Sequence, residues 1–164
     1  MHESAPLIFM YLDNETFNTV IQHTPLVSID LVIKDPKQKV LLGKRTNRPA
    51  KDHWFVPGGR VRKDESLSDA FSRIANNELS LDLSMHDAKR LGFFEHFYQD
   101  SMFSENSSTH YVVLAFEVTL TEQPNALPKE QHSDYRWFTL GELMASERVH
   151  NHTKQYFLQG TQLK

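Results

Sequence analysis

Glu78 is a carboxylate placed where a charge is expensive. It lies near the end of the stretch GGRVRKDESLSDAFSRIANNELSL, residues 58–81, in which Leu67, Ala70, Phe71 and Ile74 share its side of a helical wheel. Asp69, Ser72 and Asn76 fall away from that side. A carboxylate on an apolar face must be paired, protonated or bound to a cation. An ion pair with a neighbouring arginine would satisfy it. So would Mg²⁺, which takes one or two protein carboxylates and completes its shell with water and phosphate oxygens. Arg45, Arg60 and Arg73 all lie in, or one short loop from, the Pro57-Gly58-Gly59 turn. Guanidinium groups grip phosphate oxygens bidentately and stay charged, although most arginines serve only in surface salt bridges. The two glycines turn the chain and bring backbone close to a ligand, with the Gly58 carbonyl as an available oxygen donor. In the downstream run PKEQHSDYRW, Gln131 adjoins His132. Gln131 offers a neutral oxygen ligand, and His132, one of nine histidines, can accept a proton near pH 7.

These groups need a scaffold, and the pattern supplies one. Residues 12–22 carry Phe17, Val20 and Ile21 at helical spacing behind the capping candidates Asp13 and Asn14, and Thr24-Pro25 ends that helix. Residues 26–33 and 40–42 are apolar runs joined by the Asp35-Pro36 turn, which predicts a strand pair whose first member is interrupted by Asp30. A basic loop, residues 43–49, leaves the second strand, and residues 54–56 form a short apolar run stopped by Pro57 and the glycines. The helix that carries Arg73 and Glu78 starts at Ser66, with Asp69 three residues on as a capping partner. Residues 91–98, 111–116 and 135–138 read as strands, the second central to the sheet. Residues 140–146 form a helical turn and the tail, residues 150–158, is helical. Strands and helices interleave without regular alternation, which predicts an α+β fold, a mixed β-sheet with helices on both faces.

The 164 residues form one domain with enough chain to bury a core. The formal charge of -3 and the dispersed basic residues exclude a nucleic-acid groove. The absence of cysteine excludes disulfides and thiolate metal sites. The apolar run at residues 6–12 is too short to span a membrane and lacks a basic flank, so a cytoplasmic protein without membrane contact is expected.

Counted from Gly59, Glu65 falls six residues on, Arg73 a further eight and Glu78 five beyond that. This spacing resembles the box of the Nudix family, hydrolases of nucleoside diphosphates linked to another moiety. The chain departs from the usual box in reading Arg73-Ile74 for Arg-Glu, Asn77-Glu78 for Glu-Glu, and Ser80 for glycine. With TPLVSIDLVI, LLGKRTNRPA, WFVPGGRV, EHFYQD, THYVVLAF and EQHSDYRWF, it is similar to the GDP-mannose mannosyl hydrolase branch of that family, from about Met10 to near the C-terminus. The resemblance implies an α/β/α sandwich and hydrolysis of GDP-mannose, and of GDP-glucose, to GDP and free hexose. Water would attack the anomeric carbon with inversion. It implies one Mg²⁺ per site, replaceable by Mn²⁺, held by Glu78, Gln131 and the Gly58 carbonyl, with His132 as general base. Arg45, Arg60 and Arg73 would neutralise the diphosphate, and Asp30, His96 and Tyr111 would line the sugar or phosphate pocket. A homodimer is implied, with residues 1–9 a dispensable extension. The alternatives are a conventional pyrophosphatase attacking phosphorus and a silent nucleotide-sugar sensor.

Overall fold

The computed structural model describes residues 11–128 and 132–158, the side chains of residues 132 and 133 excepted. The expectations for residues 1–9 and for Gln131 lie outside the described residues. Helix α1 (Asn14–His23) is capped by Asp13, whose carboxylate accepts from the Thr16 N–H. It leads into β1 (Leu26–Lys34), the turn at Asp35, and β2 (Val40–Arg45), paired antiparallel to β1. Two short strands, β3 (Trp54–Phe55) and β4 (Gly58–Arg60), precede α2 (Leu67–Leu79). Then come β5 (Lys89–Tyr98), β6 (Thr109–Thr119), β7 (His132–Phe138), α3 (Leu140–Ala145) and α4 (Asn151–Lys154), the last continued by a 3₁₀ turn, Gln155–Phe157.

The strands form one mixed sheet in the order β3-β2-β1-β6-β5, with β4 added to β1 and β7 to β2. Only β1 and β6 run parallel among these pairs, in continuous register from Leu26↔Tyr111 to Lys34↔Thr119. Strand alternation divides β1 between two cores. Ile29, Leu31 and Ile33 pack with Phe71, Ile74 and Leu79 of α2, whereas Val32 packs on the other face with Phe138, Leu143 of α3 and Val149. Burying side chains such as Phe71 and Ile74 contributes roughly 1.5–3 kcal/mol each. The mixed sheet between helical layers matches the sequence reading; β6 is an interior strand, as expected of its apolar run, but the central place belongs to β1.

Four details differ. Asp30 does not interrupt β1, because its backbone keeps the ladder while its side chain points away from α2. Arg45 belongs to β2 rather than to the loop after it. Gly58 and Gly59 form a strand instead of a turn: they pair with Asp30 and Ile29, and at Gly58 the approach is so close that a Cβ would collide with Asp30 Oδ1 and the Ile29 carbonyl. Leu67 is 42% exposed, because it opens the first turn of α2 beyond the edge of the core.

Candidate active site

A cavity of about 530 Å³ opens where β1, β4 and the end of α2 meet, lined by Asp30, Arg45, Gly58, Arg60, Glu78 and Tyr111 among others. Arg73 and His96 also reach its wall. The described residues predicted from sequence therefore converge, with His132 considered separately below.

Helix α2 delivers Glu78. Ser66 accepts the Asp69 N–H at its start. At its end Ser80 takes a left-handed conformation, φ 54°, which glycine enters at lower cost. Glu78 is 4% exposed and lies on the buried face. Tyr135 of β7 donates to its backbone carbonyl at 2.9 Å, tying the strand that begins with His132 to the helix end. The β2–β7 register sets the His132 backbone opposite Arg45, past an irregularity between Lys44 and Arg45. His132 thus opens β7, three residues before the point at which the sequence reading begins that strand.

Arg73 is committed locally. Its Nε and Nη2 donate to Glu65 Oε1 and Oε2 at 2.6 and 3.0 Å, and Nη2 also donates to the Arg60 carbonyl at 2.8 Å. The Glu65 side chain is fully buried and also accepts from the Arg62 N–H at 2.9 Å. Burial pushes the Glu65 carboxyl up, but the hydrogen bonds from Arg73 and Arg62 outweigh it and hold the group below its ordinary range. Arg73 accordingly ties the loop at residues 60–65 to the helix, a structural use of the guanidinium that the sequence reading had placed on phosphate.

Arg45 and Arg60 reach the cavity over aromatic faces, 5.0 Å from the Phe55 ring and 4.8 Å from Phe17. Burial lowers the affinity of Arg60 for its proton, leaving it charged near neutrality. Arg48 and Arg62 join them on the wall. Neither was singled out in the sequence, although extended backbone puts Arg60 and Arg62 on one side, and Arg48 lies in LLGKRTNRPA. Arg48 also pairs with Glu105.

Asp30 faces the cavity and is half-buried. Burial pushes its carboxyl up to about 6, opposed by a hydrogen bond from Tyr156 and by the Arg45 charge. His96 is 3% exposed, and burial, with the His152, His150 and Arg45 charges, brings it down to about 3. It is a neutral imidazole at any physiological pH. Burial likewise raises the Tyr111 hydroxyl.

The donors suit a hard cation. Glu78 brings a buried carboxylate to the wall, and Gly58 leaves backbone open where a Cβ would meet Asp30 Oδ1 at 2.4 Å. Among the described residues no group of three or more His, Cys, Asp or Glu could hold a metal ion. An ion here would therefore depend on water and ligand oxygens, as Mg²⁺ does.

The NUDIX domain family model matches residues 24–159. The chain belongs to the Nudix family. Hydrolysis of a phosphate-bearing nucleotide derivative with a divalent metal is the chemistry of that class. Among relatives, the low-salt glycan biosynthesis protein Agl8 of Haloferax volcanii is 44% identical over 127 residues, 77% of this chain and 79% of its own length. Solved Nudix structures share the fold at low identity. A MutT protein from Methanosarcina mazei superposes with a TM-score of 0.65 at 19% identity, covering 82% of this chain and 92% of its own. The NUDIX domain of Shewanella oneidensis NrtR, complexed with ADP ribose, gives 0.64 at 20% identity, covering 89% and 90%. No helix among the described residues is long and apolar enough to cross a membrane.

Proposed function

We propose that this Nudix protein hydrolyses GDP-mannose, and GDP-glucose, to GDP and free hexose by attack of water at the anomeric carbon with inversion. The observation that carries the reading is the cavity wall: Arg45, Arg48, Arg60 and Arg62 line one cavity together with the box carboxylate Glu78, Asp30 and His96. Attack at phosphorus by water activated on the box calls for several box carboxylates, and Ile74 and Asn77 stand in two of those positions. Attack at carbon moves the demand to the leaving group and to a base elsewhere. The relative named for glycan biosynthesis fits a chemistry of activated sugars.

A divalent ion, Mg²⁺ or Mn²⁺, would be held by Glu78, the Gly58 carbonyl and Gln131, and when bound supplies positive charge to the departing diphosphate. Arg45 and Arg60 bind and neutralise that diphosphate, and Arg73 keeps the Arg60 loop in place through Glu65. His132 takes the proton of the attacking water. Asp30, His96 and Tyr111 hold the sugar end. A single displacement through an oxocarbenium-like state inverts the anomeric centre. The proposal includes a homodimeric assembly.

Hydrolysis in ¹⁸O-labelled water with Mg²⁺ tests substrate, metal and bond together. Label is expected in the hexose. Label in a phosphate product establishes pyrophosphatase chemistry instead, and GDP-mannose binding without hexose release establishes a sensor. His132→Gln should lower kcat by roughly 10²- to 10⁴-fold, and an unchanged kcat removes His132 from the base role.

A further inference from the structure

Tyr156, on the 3₁₀ turn that follows α4, touches both Asp30 and His96 but is not part of the cavity wall that those two residues line. A phenol carries one proton, and Tyr156 gives it to Asp30 Oδ2. Its oxygen also lies 3.3 Å from His96 Nε2, a contact that is a hydrogen bond only when His96 carries its proton on Nε2 and donates. The donors therefore run in one direction, from His96 through Tyr156 to Asp30.

The turn that carries Tyr156 is held firmly. His152 stacks on His96 with centroids 4.2 Å apart and planes at 7°. Its Nε2 is 3.1 Å from the Phe97 carbonyl oxygen, which can only accept, so His152 is the Nε2–H tautomer as well. His150 Nδ1 accepts from the His152 backbone N–H at 3.1 Å, and the Tyr156 ring meets Phe94 edge-on at 4.8 Å.

An ionised carboxylate beside arginines in a phosphate-binding cavity repels phosphate, and the ligand groups it accepts from are hydroxyls or amines. We propose that Tyr156 is a positioning residue: its hydroxyl, donating to Asp30 and receiving from His96, locks the Asp30 carboxylate as an acceptor for sugar hydroxyls of the substrate. The inference rests on the nucleotide-sugar reading above and extends it to a residue outside the cavity. Once Tyr156 occupies Oδ2, Oδ1 on the Gly58 side is left for the ligand.

The test compares the full chain with Tyr156→Phe, Asp30→Asn and the double variant. It measures kcat/KM for GDP-mannose and the Kd of GDP, which lacks the sugar, each with Mg²⁺. A hydrogen bond to a charged group sets the scale, so Tyr156→Phe should lose about 10- to 100-fold in kcat/KM, with GDP affinity within about twofold of the parent. Asp30→Asn should show the same selective loss, and the double variant should be no worse than Asp30→Asn, because hydroxyl and carboxylate act as one unit. A merely structural tyrosine would weaken GDP and GDP-mannose alike, and that result overturns the proposal. So does a double variant whose loss is the product of the two single losses. Should Tyr156→Phe not fold, Asp30→Asn decides by itself: an equal loss for GDP and GDP-mannose refutes the sugar role. A parent protein that releases no hexose refutes the function, whereas an active parent with a silent Tyr156→Phe refutes this inference alone.

Discussion

Replacing Gly58 by alanine tests how tightly β4 is built against β1. A Cβ at position 58 would lie 2.4 Å from Asp30 Oδ1 and 2.7 Å from the Ile29 carbonyl oxygen. The first contact involves a side chain, but Tyr156 restrains its other oxygen. The second is backbone, in a strand locked to β6 over nine register pairs, and cannot give. Ordinary contact begins at 3.4 Å, so β4 must retreat by 0.7 Å from Ile29. Overpacking of this kind costs about 1–3 kcal/mol, which for a chain of this size lowers Tm by roughly 3–10 °C. The same shift moves the Gly58 carbonyl and Arg60, both of which the proposed mechanism uses. Misplacement by about 1 Å costs on the order of 10²-fold, so kcat should fall by about 10- to 100-fold. Differential scanning calorimetry and hexose-release kinetics on the same preparations read both effects. Gly59→Ala serves as a milder control, since its Cβ meets Ile74 Cγ1 at 3.0 Å and no backbone as near, and Gly141→Ala, in α3, meets nothing within 4 Å. Gly141→Ala should stabilise by about 0.5–1 kcal/mol. If Gly58→Ala matches the parent in both Tm and turnover, the close packing of β4 on β1 is not what holds the site.

Three further outcomes are expected. Glu65→Gln leaves the Arg73 charge uncompensated in a buried pair and should destabilise by about 3–5 kcal/mol in urea unfolding; a loss below about 1 kcal/mol would show the pair to be incidental. Ser80→Gly relieves the left-handed φ of 54° at the end of α2 and should stabilise by about 0.4–1 kcal/mol, with a lowered Tm counting against that reading. The third outcome is a loss of stability in mild acid. His96 falls from 6.5 in the unfolded chain to about 3 when folded. Between these values the unfolded state binds a proton that the folded state refuses. Stability present above pH 6.5 therefore declines toward pH 3, by up to about 1.4 kcal/mol per pH unit from this residue. His150, brought down to about 4 by burial with the His152, His53 and Arg45 charges, acts in the same direction. Asp30, raised to about 6 by burial, works the other way below pH 6 and offsets one of these two, so the net decline is the smaller sum; a urea midpoint constant from pH 7 to 5 would refute it.

Residues that follow a period were readable from the chain alone. The apolar stripe of α2, the apolar run of β1 and the caps at Asp13 and Ser66 all follow from local chemistry, and Glu78 stood out because its type contradicts its position. The misreadings have a common cause. Gly58-Gly59 forms a strand that no propensity scale favours, because the reason for it lies across the sheet in Asp30 and Ile29. Arg73 was assigned to the diphosphate because its partner, Glu65, sits eight residues earlier in a loop whose path spacing does not reveal. Tyr156 meets Asp30 across 126 positions of sequence, and nothing local marks a tyrosine in a helical tail. Arg48 was concealed in the loop that carries it to the cavity rim.

The two substituted box positions are not equivalent. Asn77 is exposed and borders the cavity, so a glutamate there adds a charge to a surface that already faces solvent. Ile74 is 1% exposed, packs with Phe71 and Leu79 in the layer between α2 and β1, and fills the space directly beneath Gly59. Ile74 lines the cavity as well, so a glutamate at either position has somewhere to present its carboxylate. At 74, however, the exchange also withdraws a core side chain from beside Phe71, Leu79 and Gly59, a packing loss that a change at Asn77 does not carry. Restoring the ordinary box is therefore a surface change at one position and a core change at the other.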